Sequence, residues 1–379
     1  MEHIAIVGLA QTKFERRKRD QTHYDLVYEV TKAALDDSGL TLSDVDNVVT
    51  VSNDFLDGRT ISSMAVGEAA GGSDKNISTV EGDGSFGAFY GAMRVLSGFR
   101  AALVVVHSKG SEGDMRYVTN AMFDPIFHRP LGIESIAAAA LQANAYMYKY
   151  GLSEEDFALI SVKNHANALN NPHAHLPMTI TVDDVMRSKK LADPIKLLDC
   201  SPISDGAAAL IIADKTTALK SAKKPVWIKG IGHCCEEYFL GDRDLVSAKA
   251  LHAAAIKAYE MAQISNPRRE IDVVELYDAF SYMEPLWLEG LGMCPMGGGV
   301  DLTRREVTAM GGDLPVNPSG GVLSAHALLV AGLVRIIESA LQLRGEGGDR
   351  QVDGAHRAVA HGVNGPCGQS HCVWVLEKD

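Results

Sequence analysis

The 379-residue chain is short of several things, and each shortage excludes a class of protein. Its six cysteines, at 200, 234, 235, 294, 367 and 372, form no C-x-x-C pair and no regular spacing, so neither a zinc ribbon nor a disulfide scaffold is expected and most should be free thiols. Positive charge is scarce: 36 Lys and Arg stand against 48 Asp and Glu, a net charge of −12, which argues against a nucleic-acid surface. No apolar run reaches the roughly 18 residues of a transmembrane helix. The opening MEHIAIVGLAQTKF lacks the charged, apolar and small segments of a signal peptide, so a cytoplasmic location is expected.

What is present is an ordinary globular composition, 46% hydrophobic and 22% charged, long enough for more than one core. Two stretches read alike. Tyr24 to Ser38 has a helical period, stops at Gly39 and leads into a β-branched strand inside residues 43–55; Ala250 to Ala262 is again helical and leads into a strand from Ile271 to Leu276. Each strand is followed by a glycine-rich turn, an apolar helix and an apolar strand: EGDGSFG, Phe86 to Ser97 and Ala101 to Val106 in the first half, NPSGGVLSAH, Ala327 to Leu343 and Arg357 to His361 in the second. The order suggests an internally duplicated α/β unit, with chance likeness of two α/β segments as the alternative.

Residues 110–200 interrupt the pattern with a polar stretch rich in Gly and Pro, followed by helical segments from Ile133 to Tyr150 and Ser153 to Ala168. This reads as an inserted lid or partner contact. The expected division is therefore 1–109, an insertion at 110–200, a return over 201–230, and a second half over 231–379. The charged run 344–354 reads as a surface loop.

Gly82-Asp83-Gly84-Ser85-Phe86-Gly87 matches G-x-G-x-x-G, but no acidic residue follows about 20 positions later to hold a ribose. The other reading is a sharp strand-to-helix turn whose helix N-terminus favours an anion or oxyanion. Histidines 165, 173 and 175 show no metal-ligand spacing.

These segments together, with SPISDGAAALII (201–212), VELYDAF (274–280) and NPSGG (317–321) before a histidine, resemble the thiolase superfamily in its archaeal and sterol-carrier-protein-like branch. The resemblance spans essentially the whole chain. It implies a thiolase fold of five α-β-α-β-α layers carrying the insertion, a homodimer, and coenzyme A as substrate or product with no metal in this chain. It also implies that Gly84 stands where the family places its nucleophilic cysteine in E-x-x-C-x-S-G, with Ser85 adjacent. Tyr277-Asp278-Ala279-Phe280 matches the motif usually written N-E-A-F or H-D-A-F. His326 matches the histidine of the loop after NPSGG, and His361 that of the C-terminal loop ending in Gly365-Pro366-Cys367-Gly368.

The candidate catalytic residues are thus His326, Cys367, Tyr277, His361 and Ser85, with Gly84 and Gly365 as turn or oxyanion positions. Cys367 reads either as a displaced nucleophile or proton donor, or as an inert thiol. His326 reads as catalytic or as a core histidine, and Tyr277 as a proton donor or a packing residue. Ser319, His107 and Arg129 are weaker candidates for substrate contact. The expected activity is thiolase-type carbon–carbon cleavage of a branched or aromatic 3-oxoacyl-CoA. The alternatives are a cysteine-independent retro-aldolase acting on a 3-hydroxyacyl-CoA, or a non-catalytic CoA-binding subunit. The tyrosine at 277 resembles the steroid side-chain aldolases, and the C-terminal end resembles two-subunit thiolases of aromatic breakdown; both imply a small partner with an OB-fold and a zinc module.

Overall fold

A computed structural model describes residues 4–379. Nine strands form the main sheet: β1 (Ile4–Gln11), β2 (Asn47–Val51), β3 (Asn76–Val80), β4 (Ala101–Lys109), β5 (Asp205–Asp214), β6 (Val226–Cys235), β7 (Val273–Glu275), β8 (Arg357–Asn364) and β9 (Ser370–Glu377). Their order across the sheet is β3-β2-β4-β5-β1-β6-β9-β8-β7. The first five and the last four repeat one topology. β2 and β4 are parallel, then β4, β5 and β1 run antiparallel; β7 and β8 are parallel, then β8, β9 and β6 run antiparallel. An isolated parallel bridge between Val274 and Val316 takes the place of β3. The duplication read from the sequence is therefore present, and among the described residues the halves join where β1 pairs with β6 through Ala5 with Trp227 and Ile6 with Val226.

Strand alternation assigns each face. In β1, Ala5 and Val7 face helix α1 (His23–Ser38) through its Leu26, Val27, Val30 and Ala34. Ile4 and Ile6 face inward, onto helices α2 (Gly84–Leu96) and α7 (Ala331–Arg344). On the other half-sheet, Trp374, Ala358 and Ala360 meet the same two central helices. Val373, Val375 and Val359 face outward onto α5 (Lys249–Ala262). The layers are thus helix, sheet, helices, sheet, helix, as expected.

The segment between β4 and β5 supplies α3 (Ser135–Tyr150) and α4 (Glu154–Ala168); α6 (Met283–Gly290) follows the YDAF motif. One expectation needs correcting. The run 344–354 is not wholly a surface loop, because Arg350 is buried and bonded to the Glu338 carboxylate. Its charge looked solvated in sequence, and its partner lies 12 residues back, on α7.

The approach of α5 to β6 depends on two glycines. A Cβ on Gly232 would lie 1.8 Å from the Ala254 carbonyl oxygen, and one on Gly230 would lie 2.0 Å from that of Ala258. Residues i and i+2 of a strand thus receive i and i+4 of an alanine-rich helix. The obstacle is backbone, which no rotamer change relieves. Gly232→Ala is expected to destabilise the chain by about 3 kcal/mol in urea unfolding; a change within about 0.5 kcal/mol would contradict this packing.

Candidate active site

A crevice of about 2000 Å³ opens at the C-terminal ends of β2, β3, β4, β7 and β8. Its walls come from both halves of the sheet and from the segment between β4 and β5, and include Gly82, Asp83, Met115, Ile136, Ser201, Tyr277, Met283, His326, Gly365 and Cys367.

Tyr277 and His326 form its polar core. The Tyr277 hydroxyl lies 2.8 Å from His326 Nε2, and His326 Nδ1 lies 2.9 Å from Ser201 Oγ. Neither residue is free to swing. Trp287 Nε1 on α6 donates to the Tyr277 carbonyl. The His326 amide donates to Ser204 Oγ, while the Ser204 amide donates to the His326 carbonyl. The SPIS segment before β5 therefore fixes the histidine that follows NPSGG. Burial pushes His326 down to about 4 and raises Tyr277 well above its ordinary value, so at neutral pH the pair is an uncharged imidazole and an intact phenol.

Behind this pair the scaffold is a set of buried hydrogen bonds. Asp278 accepts from the Val322 amide and from Asn164 of α4; burial pushes its carboxyl up to about 8, with Glu284 adding to the shift. Asn167 and Asn171 donate to the carbonyls of Asn317 and Ser319. Helix α4, through Asn167, and the turn just past its end, through Asn171, thereby clamp the NPSGG turn, where Asn317 adopts a left-handed φ of 51°.

The other sequence candidates fall in different places. His361 is fully buried behind Tyr277: its Nδ1 accepts from the Tyr277 amide at 3.4 Å and its Nε2 lies 2.9 Å from His371 Nδ1. It is not on the crevice wall and reaches the site through the Tyr277 backbone. Ser85 is also off the wall, its hydroxyl donating to Asp83 at 2.6 Å. Gly84 is likewise behind the wall, and a Cβ there would meet Leu333 Cβ at 2.7 Å. The helix N-terminus that suggested an oxyanion site already holds the Asp83 carboxylate, which accepts from the Ser85 amide of α2 and the Gly332 amide of α7.

Cys367 lines the crevice with a left-handed φ of 53°, its thiol packed with Phe123, Ala138 and Leu240. Burial pushes that thiol up to about 12, and Arg243 opposes the shift only in part. Arg243 bonds the carbonyls of Pro366 and Cys367 and so fixes the loop. Ser319 lies away from the crevice: its hydroxyl donates to Glu275 and accepts from Arg335 of that buried ion pair and from the Gly321 amide. His107 is buried 3.3 Å from Asp57, also off the wall. Arg129 is exposed on the wall, with its guanidinium on the carbonyls of Phe123 and Ala121.

Sequence reasoning missed Asp83, Ser201 and His371. Asp83 was visible as the middle of the glycine turn, but only the approach of α7 gives it meaning; Ser201 lay within the quoted SPIS motif. Among the described residues no cluster could hold a metal ion.

The chain's C-terminal half, residues 232–378, matches the thiolase C-terminal domain-like family model. An acetyl-CoA acetyltransferase of Methanothermobacter thermautotrophicus is 34% identical over 378 residues, covering 97% of this chain and 98% of that protein. The benzoylsuccinyl-CoA thiolase subunit BbsB of Thauera aromatica is 34% identical over 231 residues, 60% of each chain. Among solved structures, the Ltp2-ChsH2(DUF35) aldolase superposes with a TM-score of 0.85 at 26% identity, covering 100% of this chain and 98% of that one.

His371 provides a test of the buried imidazoles. Burial pushes it down to about 3, so it stays neutral in the fold while the unfolded chain takes up a proton below about 6.5. Its contribution to stability is therefore complete above pH 6.5 and falls by about 1.4 kcal/mol per unit toward pH 3. The stability difference between the native chain and His371→Gln, followed by urea unfolding, should shrink at that slope as pH falls; a difference independent of pH would contradict a buried neutral His371. The matching topology, the layered core and a relative aligned along nearly the full length establish that the chain belongs to the thiolase superfamily.

Proposed function

We propose that the chain is a cysteine-independent carbon–carbon lyase that cleaves a 3-hydroxyacyl-CoA by retro-aldol chemistry. The observation that carries this reading is at residue 84: the space a nucleophile's side chain would need is filled by Leu333. A covalent route through a thiol of the crevice would have to use Cys200 or Cys367, and burial pushes both up to about 12, leaving almost no thiolate at neutral pH.

Retro-aldol cleavage needs no acyl-enzyme. A base takes the 3-hydroxyl proton, the C2–C3 bond breaks, C3 becomes an aldehyde or ketone carbonyl, and the bonding pair passes into the thioester enolate. The enolate then takes a proton at C2, so the reaction consumes no free CoA and no oxidant. Tyr277 and His326 suit the enolate end: a neutral phenol and imidazole, 2.8 Å apart on the crevice wall, can donate to the thioester oxygen and return the C2 proton. Likeness over the full chain to the Ltp2-ChsH2(DUF35) aldolase supports the same reading.

The second reading is thiolase-type acyl transfer to CoA on a branched or aromatic 3-oxoacyl-CoA, such as benzoylsuccinyl-CoA giving benzoyl-CoA and succinyl-CoA. The acetyltransferase and BbsB relatives favour it. For either reaction the proposed working form is a homodimer of this chain with a small zinc and OB-fold partner. Two observations favour a partner: BbsB is named a subunit, and the similar Ltp2-ChsH2(DUF35) aldolase is named for two components. A cytoplasmic setting remains part of the proposal.

The chain, co-produced with such a partner, is given a bulky 3-hydroxyacyl-CoA without free CoA. One aldehyde or ketone should appear for each shortened acyl-CoA. Tyr277→Phe should lower kcat by about a hundredfold, while Cys367→Ala should keep the same order of activity. An absolute requirement for free CoA, together with loss of activity in Cys367→Ala, would overturn the lyase in favour of acyl transfer.

A further inference from the structure

We propose that Asp83 is the general base that takes the proton from the substrate's 3-hydroxyl, a role that rests on the retro-aldol reading above. Asp83 lies on the crevice wall, yet is only 3% exposed. It carries the charge that the turn was expected to receive from a ligand.

Three elements are shaped around this one carboxylate. It caps α2 by accepting from the Ser85 amide at 2.9 Å, and it accepts from the Gly332 amide at 2.8 Å in the first turn of α7. A Cβ on Gly332 would lie 1.8 Å from Asp83 Oδ1, and one on Gly362 of β8 would lie 1.8 Å from Ser85 Oγ and 2.9 Å from Asp83 Oδ1. Two positions are thus glycine so that the carboxylate can sit where it does.

Capping alone does not explain an acid at this position. Serine, threonine or asparagine caps a helix as well, without the cost of burying a charge. Among the described residues no Lys, Arg or His forms an ion pair with Asp83, so its charge rests on hydrogen bonds and two helix dipoles. The titratable groups that feel that charge are Tyr277 and Cys372 of β9. His361, beside Gly362, is neutral, and Arg335, one turn along α7, is paired with Glu275. Burial pushes the Asp83 carboxyl up to about 6 against its hydrogen bonds, which leaves it able both to accept and to release a proton near neutrality.

The step balances. The hydroxyl proton moves to an Asp83 oxygen as C2–C3 breaks and C3 becomes a carbonyl. Asp83 then loses that proton to solvent as the carbonyl product leaves, while Tyr277 and His326 serve C2. The two proton transfers can therefore be separated experimentally.

The test follows two rates in the full complex: cleavage of the 3-hydroxyacyl-CoA, and exchange of the C2 hydrogen of the shortened acyl-CoA in deuterated water. Asp83→Asn should slow cleavage by about a hundredfold while exchange stays near the native rate. Cleavage at the native rate, or exchange lost in parallel with cleavage, would overturn the role. If the native complex cleaves no 3-hydroxyacyl-CoA, the lyase reading itself fails, and this role with it.

Should Asp83→Asn fail to fold, Ser85→Ala decides. Loss of the hydroxyl's hydrogen bond disfavours the carboxylate, so the acid limb of kcat/KM, expected near pH 6, should move up by on the order of one unit. An unmoved limb would overturn the proposal.

Discussion

Everything in the crevice follows from how closely the two central helices approach. Gly84 opens α2 against Leu333 of α7, with no room for even a Cβ between them. That contact removes a side chain from the position where the superfamily resemblance expects a nucleophile. It also brings the Gly332 amide onto Asp83, so that one carboxylate joins the N-termini of both helices. In a layered fold of this kind the central helices are packed by both sheets, and neither can shift without disturbing two faces of core.

The electrostatics of the site are set by burial more than by charge pairing. His326, His361 and His371 are all held neutral by desolvation, Tyr277 is held as the phenol, and Asp278 is pushed toward its acid form. Such a site offers hydrogen-bond donors and acceptors with little fixed charge. It suits a reaction in which negative charge appears briefly on a thioester oxygen and then returns to carbon, because preorganised donors in a dry site stabilise developing charge strongly. The fixed ion pairs, Arg335 with Glu275 and Arg350 with Glu338, lie behind it and hold α7 to the strands and loops it crosses.

Much of this was legible in the chain. The period-3.6 stretches marked α1, α2 and α5 to within about two residues, and the paired order of strand, turn, helix and strand announced the duplication. Tyr277 and His326 were marked by their motifs and do meet across the crevice. His361 was marked in the same way, yet its ring faces inward to the Tyr277 backbone and His371. A motif fixes a residue's place along a strand but not which partner claims its ring. Ser319 and Arg350 show the same limit, since their ion-pair networks join residues many positions apart. Asp83 was hidden most completely: its significance depends on glycines at 332 and 362, about 250 and 280 residues downstream.

The central claim is that bonds are broken here without a covalent link to the protein. Intact-mass measurement of the complex, quenched during steady turnover of a 3-hydroxyacyl-CoA, tests it most directly. The account predicts unmodified chain at every time point while the aldehyde or ketone accumulates. An acyl adduct on the chain, at Cys367 or any other residue, that forms and decays at the rate of turnover would contradict it.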